Sequence, residues 1–543
     1  MKSPRFAGPE LPHDLVAGAV VACLLIPQSV AYAELAGLPA HLGLYASVAP
    51  PIAAAFFASS PYLQTGPAAV TSLLTLGALS TVAAPRSAEF IALAALLALV
   101  VGFMRLVIGA LRWGWIAYLL SPPMMMGFAT AAGILIAASQ VPAMLGVTAA
   151  EGDVLSSAVA AISRPAAWRW TAVGLAAVTI GLAVGGRYLH PLFPGVLVAI
   201  AIGLLVRSVG AYDGPVLGDI PHELPVLALQ FDWRQIPVLL VPAAVITIIG
   251  FAEAVSIARL YAAQERQRWS PDREFVAQGV ANLASAVSGG FPVGGSFSRT
   301  AANHLAGGRT RWSGAIAGLI VLAVLPFSGS LADVPRAVVG GIVAAAVTNL
   351  MYFRQLARVA RQAPLQGLVA WATFGLTLAL APRADVAVVA GVILAASVHI
   401  WRELEVRAGA QYAGGTLTLT PRGVLFFASA PGLEAALLDE LAAHPEAKRL
   451  VLRLAHLGRI DYSGALVLCT VAEEAEAAGL DVRIAEVPPQ ARRIFTRVLG
   501  PDSRFLEAET RDGSAERPRR RASDGKRSSD DTEPDRLAEK PRS

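Results

Sequence analysis

Residues 289–303 read GGFPVGGSFSRTAAN: four glycines, a proline, two serines, a threonine and an arginine, set between long apolar segments. Inside a bilayer an unpaired backbone polar group is costly, so irregular backbone survives there only where it lines a cavity or is covered by protein. The stretch reads as an extended, Gly/Pro-broken entry followed by a short helix starting near Ser296 to Ser298. Both serines suit an N-cap. The free N–H groups and positive dipole end of such a half-helix attract anions, and Arg299 adds a full charge one step on. A second break lies at residues 62–71, YLQTGPAAVT, where Thr65, Gly66 and Pro67 interrupt apolar sequence before another short helix. Pro67 fits a first helical turn, where its missing N–H is no loss. Two broken segments at corresponding places in two halves point to a transporter's midplane site. If the halves are inverted repeats, the two half-helices aim their N-termini at one another, with an anion between them.

Composition agrees with a membrane setting. Of 543 residues, 55% are hydrophobic and 15% charged, against about 25% charged in soluble domains; the mean hydropathy is +0.56. The chain is a polytopic α-helical membrane protein. Apolar segments of bilayer length, about 20 residues, fall at 14–33, 39–57, 67–83, 89–108, 116–138, 171–186 and 193–209. A second set falls at 236–261, 275–288, after Ser296, and at 312–327, 337–350, 365–381 and 386–401. That makes about fourteen spans, seven plus seven, with the third and tenth broken. With the N-terminus in the cytoplasm, sixteen Lys and Arg of residues 1–410, Arg105 among them, fall inside and seven outside, leaving only Arg299 within the membrane. That excess is what the positive-inside rule requires, and an even span count leaves the C-terminus cytoplasmic too. The first apolar run, broken by Pro27 and Gln28, continues into further spans and does not read as a cleavable signal.

The domain reading is a cytoplasmic segment 1–13, a transmembrane transport domain 14–407, a cytoplasmic α/β domain 412–508 and a disordered charged tail 511–543. In the α/β part, strands are expected at 416–419, 423–427, 449–454 and 482–485, with helices at 432–443 and 464–478. The arginines serve topology, not nucleic acid. Cys23 and Cys469 have no metal-ligand spacing and form no disulfide framework.

Glu253, in IIGFAEAVSIAR, is an ionisable residue at membrane depth, which marks function by default. A carboxyl in low dielectric can hold and exchange a proton, so proton coupling is natural. Gln28 and, one turn later, Tyr32 follow Pro27 in the first span and share a helix face able to line a site. No P-loop, HExxH, CxxC or GxSxG signature is present, so neither an enzyme nor a cofactor is expected.

Together these stretches resemble the sulfate permease (SulP) family of anion transporters, which includes pendrin and prestin. IPQSVAYAELAGLPAHLGLYAS looks like its first-span signature, QTGPAAVTSLL its third-span entry and GGFPVGGSFSRTAAN its tenth-span entry. The resemblance implies a seven-plus-seven inverted-repeat fold, a core and a gate domain, elevator-type movement of the core and a homodimer in a bacterial-type inner membrane. By it, Gln28, Tyr32, Ala68, Phe297, Ser298 and Arg299 fall at anion-site positions beside the entry residues Thr65, Gly66 and Pro67. Some relatives carry a bulky aromatic at the Ala68 position. Glu253 falls where proton-coupled members carry a carboxylate. The tail is similar to the sulfate transporter and anti-sigma antagonist (STAS) domain, with RIDYSGALVL matching its DxSG loop. Tyr462 stands where stand-alone relatives have a phosphorylated Ser or Thr, which leaves Asp461 and Ser463 as helix caps. The leading expectation is a secondary active transporter of a sulfate-like oxyanion, bicarbonate or dicarboxylate, coupled to protons by symport. The alternatives are a chloride/bicarbonate exchanger, a channel-like or sensory anion protein, and a nucleobase permease of the same fold.

Overall fold

In lipid a helix satisfies its own backbone, so apolar sequence of bilayer length coils. The computed structural model describes residues 10–118, 120–149, 153–190, 192–218, 227, 230–404 and 407–499. The segment 511–543, expected to be disordered, lies outside the described residues, as do 1–9 and 500–508. The chain forms two compact units that part between Ile400 and Trp401.

The first unit opens with α1 (Leu11–Leu35), α2 (Ala40–Tyr45) and α3 (Ala49–Phe57), followed by the two-residue strand β1 (Thr65–Gly66) and α4 (Ala69–Leu79). Then come α5 (Ala88–Ala110), α6 (Pro122–Leu145), α7 (Val154–Ile162) and α8 (Trp170–Ile180), a π-helical turn, α9 (Gly186–Leu189) and α10 (Gly195–Ser208). The second half holds α11 (Ile236–Gln264), α12 (Pro271–Val287), strand β2 (Gly294–Gly295), α13 (Phe297–Leu305) and α14 (Trp312–Val324). It closes with α15 (Arg336–Val347), α16 (Phe353–Gln362), α17 (Pro364–Ala379) and α18 (Ala384–Leu404). Among the described residues eight helical stretches are long and apolar enough to cross a membrane, and four shorter apolar helices accompany them.

Local chemistry sets the helix starts. Ser87, Ser121 and Ser270 accept from the third residue of α5, α6 and α12, each satisfying one orphan N–H. Ser270 and Pro271 start α12 one turn before residue 275, where hydropathy alone began the span. α16 is also absent from the sequence reading; its Leu356 is fully buried, while Arg354, Arg358 and Arg361 face outward.

Close helix crossings use glycine. On α5, a Cβ at Gly102 would lie 2.9 Å from the Gly279 carbonyl of α12, and one at Gly109 would lie 2.7 Å from the Asp272 carbonyl. Small residues let backbones approach where lipid supplies no hydrophobic drive.

The second unit is α/β. Strands β3 (Arg407–Ala413), β4 (Thr416–Leu425), β5 (Arg449–Arg453) and β7 (Asp481–Ala485) lie in that order, and β6 (Leu457–Ile460) pairs with β4. The β3–β4 pair is antiparallel and the other pairs are parallel. Helices α19 (Ala430–Ala443), α20 (Tyr462–Ala477) and α21 (Pro489–Leu499) complete it. Two strands were expected where β4 is one; it pairs with β5 over Thr416–Leu419 and with β6 from Gly423 on, with a register shift after Gly423. β3 and β6 went unforeseen.

Gly43 offers a direct test of packing. A Cβ there would stand 1.9 Å from the Ser29 carbonyl oxygen of α1, whereas one at Gly174 would meet nothing within 4 Å. Gly43→Val is expected to abolish the monodisperse peak in size-exclusion chromatography of detergent extracts. Gly174→Val should leave it intact.

Candidate functional site

β1 and β2 are antiparallel, with Thr65 opposite Gly295 and Gly66 opposite Gly294. The two broken entries therefore meet as one short ladder, and α4 and α13 leave its opposite ends with their N-termini toward it. Proline and glycine break each helix, and the ladder supplies the hydrogen bonds that the break removes.

Side chains satisfy the rest, chiefly from one face of α12. Glu274, Gln278, Asn282 and Ser285 follow helical spacing, and all four are buried. Glu274 accepts from the Ser59 and Ser60 N–H groups at 3.0 and 2.9 Å. Gln278 Nε2 donates to Thr65 Oγ1 at 2.6 Å. Asn282 accepts from the Val293 N–H at 3.0 Å and donates to the Val293 carbonyl at 3.1 Å. Ser285 donates to the Phe291 carbonyl at 2.7 Å. From α13, Thr300 Oγ1 accepts from the Gln64 N–H at 3.0 Å and Asn303 donates to the Tyr62 carbonyl at 3.1 Å. The second half of the chain thus holds the break in the first. These residues were missed in the sequence, although the polar ridge 274–278–282–285 within a span was a readable signal.

The expected site residues fall around the ladder. Arg299, in the first turn of α13, is wholly buried; its Nη1 donates to Gln28 Oε1 at 3.2 Å. Its Nε and Nη2 have no partner among the described residues. Nη2 lies 3.4 Å from where a Gly66 Cβ would stand, so glycine there leaves the guanidinium uncovered. Tyr32 is buried on α1, and Arg299 is coupled electrostatically to Tyr32 and to Glu253. Arg299 and Glu253 form no direct ion pair. Thr65, Gly66, Pro67 and Ala68 are buried, while Phe297 and Ser298 are half-buried.

Two local expectations need correction. Ser296 occupies the N-cap of α13, but its hydroxyl makes no cap bond; it lies 3.3 Å from Ser298 Oγ. Pro67 precedes the Ala68 cap of α4 and so stands outside the first helical turn. Both changes leave helix N–H groups open. Arg105, counted above among inner-side charges, is wholly buried in α5. Arg299 is therefore not the lone fully buried arginine.

A cavity of 760 Å³ reaches this region, and Glu253, Val70, Phe297, Met125, Phe128 and Tyr352 are among the residues that line it. Its lining includes neither Gln28, Tyr32, Ser298 nor Arg299. Arg259 also lines the cavity, with its guanidinium 5.4 Å from the centre of the Tyr118 ring.

In the α/β unit Asp461 caps α20, accepting from the Gly464 N–H at 2.7 Å. Ser463, the other residue of that loop, lies in the first turn, and Tyr462 is exposed. Burial pushes the Cys469 thiol up to about 11, with Glu473 adding to the shift, so it stays protonated.

Half-helices that meet head to head across a shared ladder, beside a cavity within apolar helices, define an integral membrane protein of the broken-helix permease class. The sulfate permease family model matches residues 11–373 and the STAS domain model residues 408–501. The chain belongs to the sulfate permease family. It is 34% identical over 373 residues to a probable sulfate transporter of Mycobacterium tuberculosis, covering 68% of this chain and 66% of that protein. It is 33% identical to the probable sulfate transporter 4.2 of Arabidopsis thaliana over 62% of this chain, which spans 52% of that protein's length. In fold it matches murine Solute Carrier 26 family member A9, an anion transporter in the inward-facing state. That match has a TM-score of 0.83 at 19% identity and covers 92% and 90% of the two chains. The transmembrane domain of a cyanobacterial bicarbonate transporter matches with a TM-score of 0.61 at 23% identity, covering 72% of this chain and 98% of that one.

Thr300→Val tests the cross-half lacing. It removes the acceptor for the buried Gln64 N–H, a loss of about 1–3 kcal/mol. We expect a lower Tm in nanodiscs for Thr300→Val and a near-normal one for Thr300→Ser.

Proposed function

We propose that the protein is a secondary active transporter of a small oxyanion, sulfate or bicarbonate in class, driven by proton symport. One observation carries the reading: a buried arginine keeps two guanidinium donors without partners at the uncapped start of a half-helix. A buried charge left without acceptors is costly. An anion at Arg299 removes that cost and gains the open N–H groups of α13. The names of the relatives, sulfate transporters by sequence and a bicarbonate transporter by fold, agree with this chemistry.

Glu253 supplies the proton site. It borders the cavity and is coupled to Arg299 without pairing to it. An anion arriving at Arg299 offsets the arginine's charge and so favours the neutral form of Glu253. By reciprocity the proton then favours the anion. In this reading α1–α5 with α11–α14 form the moving core, and α6–α10 with α15–α18 the gate. Glu34 of α1 bridges Arg86 at 3.3 Å and Arg336 of α15 at 3.8 Å. A Cβ at Gly77 of α4 would stand 2.2 Å from the Pro382 carbonyl after α17. Core and gate touch at these points, and neither Glu34 nor Gly77 lines the cavity. The STAS unit, whose Asp461 serves as a cap, has a regulatory or assembly role, and the protein works as a homodimer with both termini cytoplasmic.

Reconstitution into proteoliposomes tests the reading. Ser298→Leu should reduce uptake of radiolabelled sulfate and bicarbonate to the level of empty liposomes while the protein stays monodisperse. Wild-type uptake in that variant would remove the site. Glu253→Gln, a mimic of the protonated form, should still exchange anion but no longer accumulate it in response to an inward proton gradient. Unchanged gradient-driven accumulation would make Glu253 structural.

A further inference from the structure

Arg105 plays no part in the site as described, yet with Arg299 it is one of the two largest fully buried side chains of the described residues. It projects from α5 between Gly102 and Gly109, the two points where α5 and α12 cross in backbone contact. Its guanidinium forks. Nη1 donates to the Val293 carbonyl at 2.9 Å and Nη2 to the Ile246 carbonyl of α11 at 3.1 Å. Val293 is the residue just before β2, and Asn282 already pairs with both its N–H and its carbonyl. α11 makes room for the fork with a glycine: a Cβ at Gly250 would stand 2.8 Å from Arg105 Nη2. Gly250 lies one turn before Glu253 on the same helix.

We propose that Arg105 is a positioning residue that ties the unwound entry of α13 to α11. Its two donors hold the peptide ahead of Ser298 and Arg299 at a fixed spacing from the helix that carries Glu253. The unwinding frees the Val293 carbonyl from any helical partner, and such a carbonyl needs a donor from outside the segment. A guanidinium fits because its planar fork reaches two acceptors on different elements at once. An ammonium is a compact point charge and lacks that geometry. The proposal rests on the anion-site reading above and adds what keeps the anion and proton sites in register.

The test compares full-length wild type with Arg105→Lys, Arg105→Met and Gly250→Ala. Lysine keeps the charge and loses the fork; Gly250→Ala keeps Arg105 and pushes its tip aside. Two readouts are taken in lipid: hydrogen exchange of the segment 290–299, and KM and Vmax for uptake of radiolabelled sulfate. We expect faster exchange in that segment for all three variants. We also expect a rise in KM of about tenfold, the worth of one charged hydrogen bond, with Vmax within about twofold of wild type. A purely structural role would lower Tm and the amount of active protein without splitting KM from Vmax. Wild-type behaviour of Arg105→Lys in both readouts overturns the proposal, because charge alone then suffices. Unchanged exchange in Gly250→Ala also overturns it. Should Arg105→Met not fold, the other two variants decide. Should wild type take up neither radiolabelled sulfate nor bicarbonate, the transport reading fails, and hydrogen exchange alone then judges Arg105.

Discussion

The first unit depends on one requirement: backbone that leaves helical geometry at membrane depth must find other partners. The protein unwinds its chain twice and gives each opening to the other as a strand. The ladder Thr65–Gly66 with Gly294–Gly295 satisfies only the centre, so the flanks fall to side chains. Glu274, Gln278, Asn282 and Ser285 form a polar ridge along α12, reaching both openings in turn. An apolar α12 would leave those groups bare, at several kcal/mol each in lipid. Free donors remain where Arg299 and the start of α13 are left uncovered.

Much of this was legible in the sequence. Glycine, proline, serine and arginine inside apolar sequence are an anomaly that lipid does not tolerate without a reason. That anomaly marked both breaks, and Gln28 of α1 and Arg299 of the second break do meet in space. Arg105 was not legible, because an arginine near a span's end looks the same whether it faces headgroups or folds inward. Only its partners, Val293 and Ile246, far away in sequence, tell the two apart. The expected cap at Ser296 failed for a related reason: its hydroxyl had an alternative in Ser298. In the α/β unit, short strands such as β6 owe their existence to pairing with β4, a tertiary effect that local pattern does not carry.

The two half-helices are unequal. α13 opens on serine and arginine, while α4 opens on Ala68, a small residue without charge or donor. The dipole of α4 points at the ladder, but Ala68 brings no charge and no side-chain donor to it.

The ladder also imposes an order on synthesis. Thr65 pairs with Gly295, so the first opening enters the membrane 230 residues before its partner exists. At synthesis rates of about 5–20 residues per second, that interval is on the order of 10–50 s. Through it the unwound backbone has neither β2 nor α12 to bond. It must stay hydrated, within the insertion machinery or near the headgroups, until the second half arrives. A ribosome stalled anywhere between the two openings would hold a chain whose first half cannot close, which makes the nascent protein a natural client for quality control.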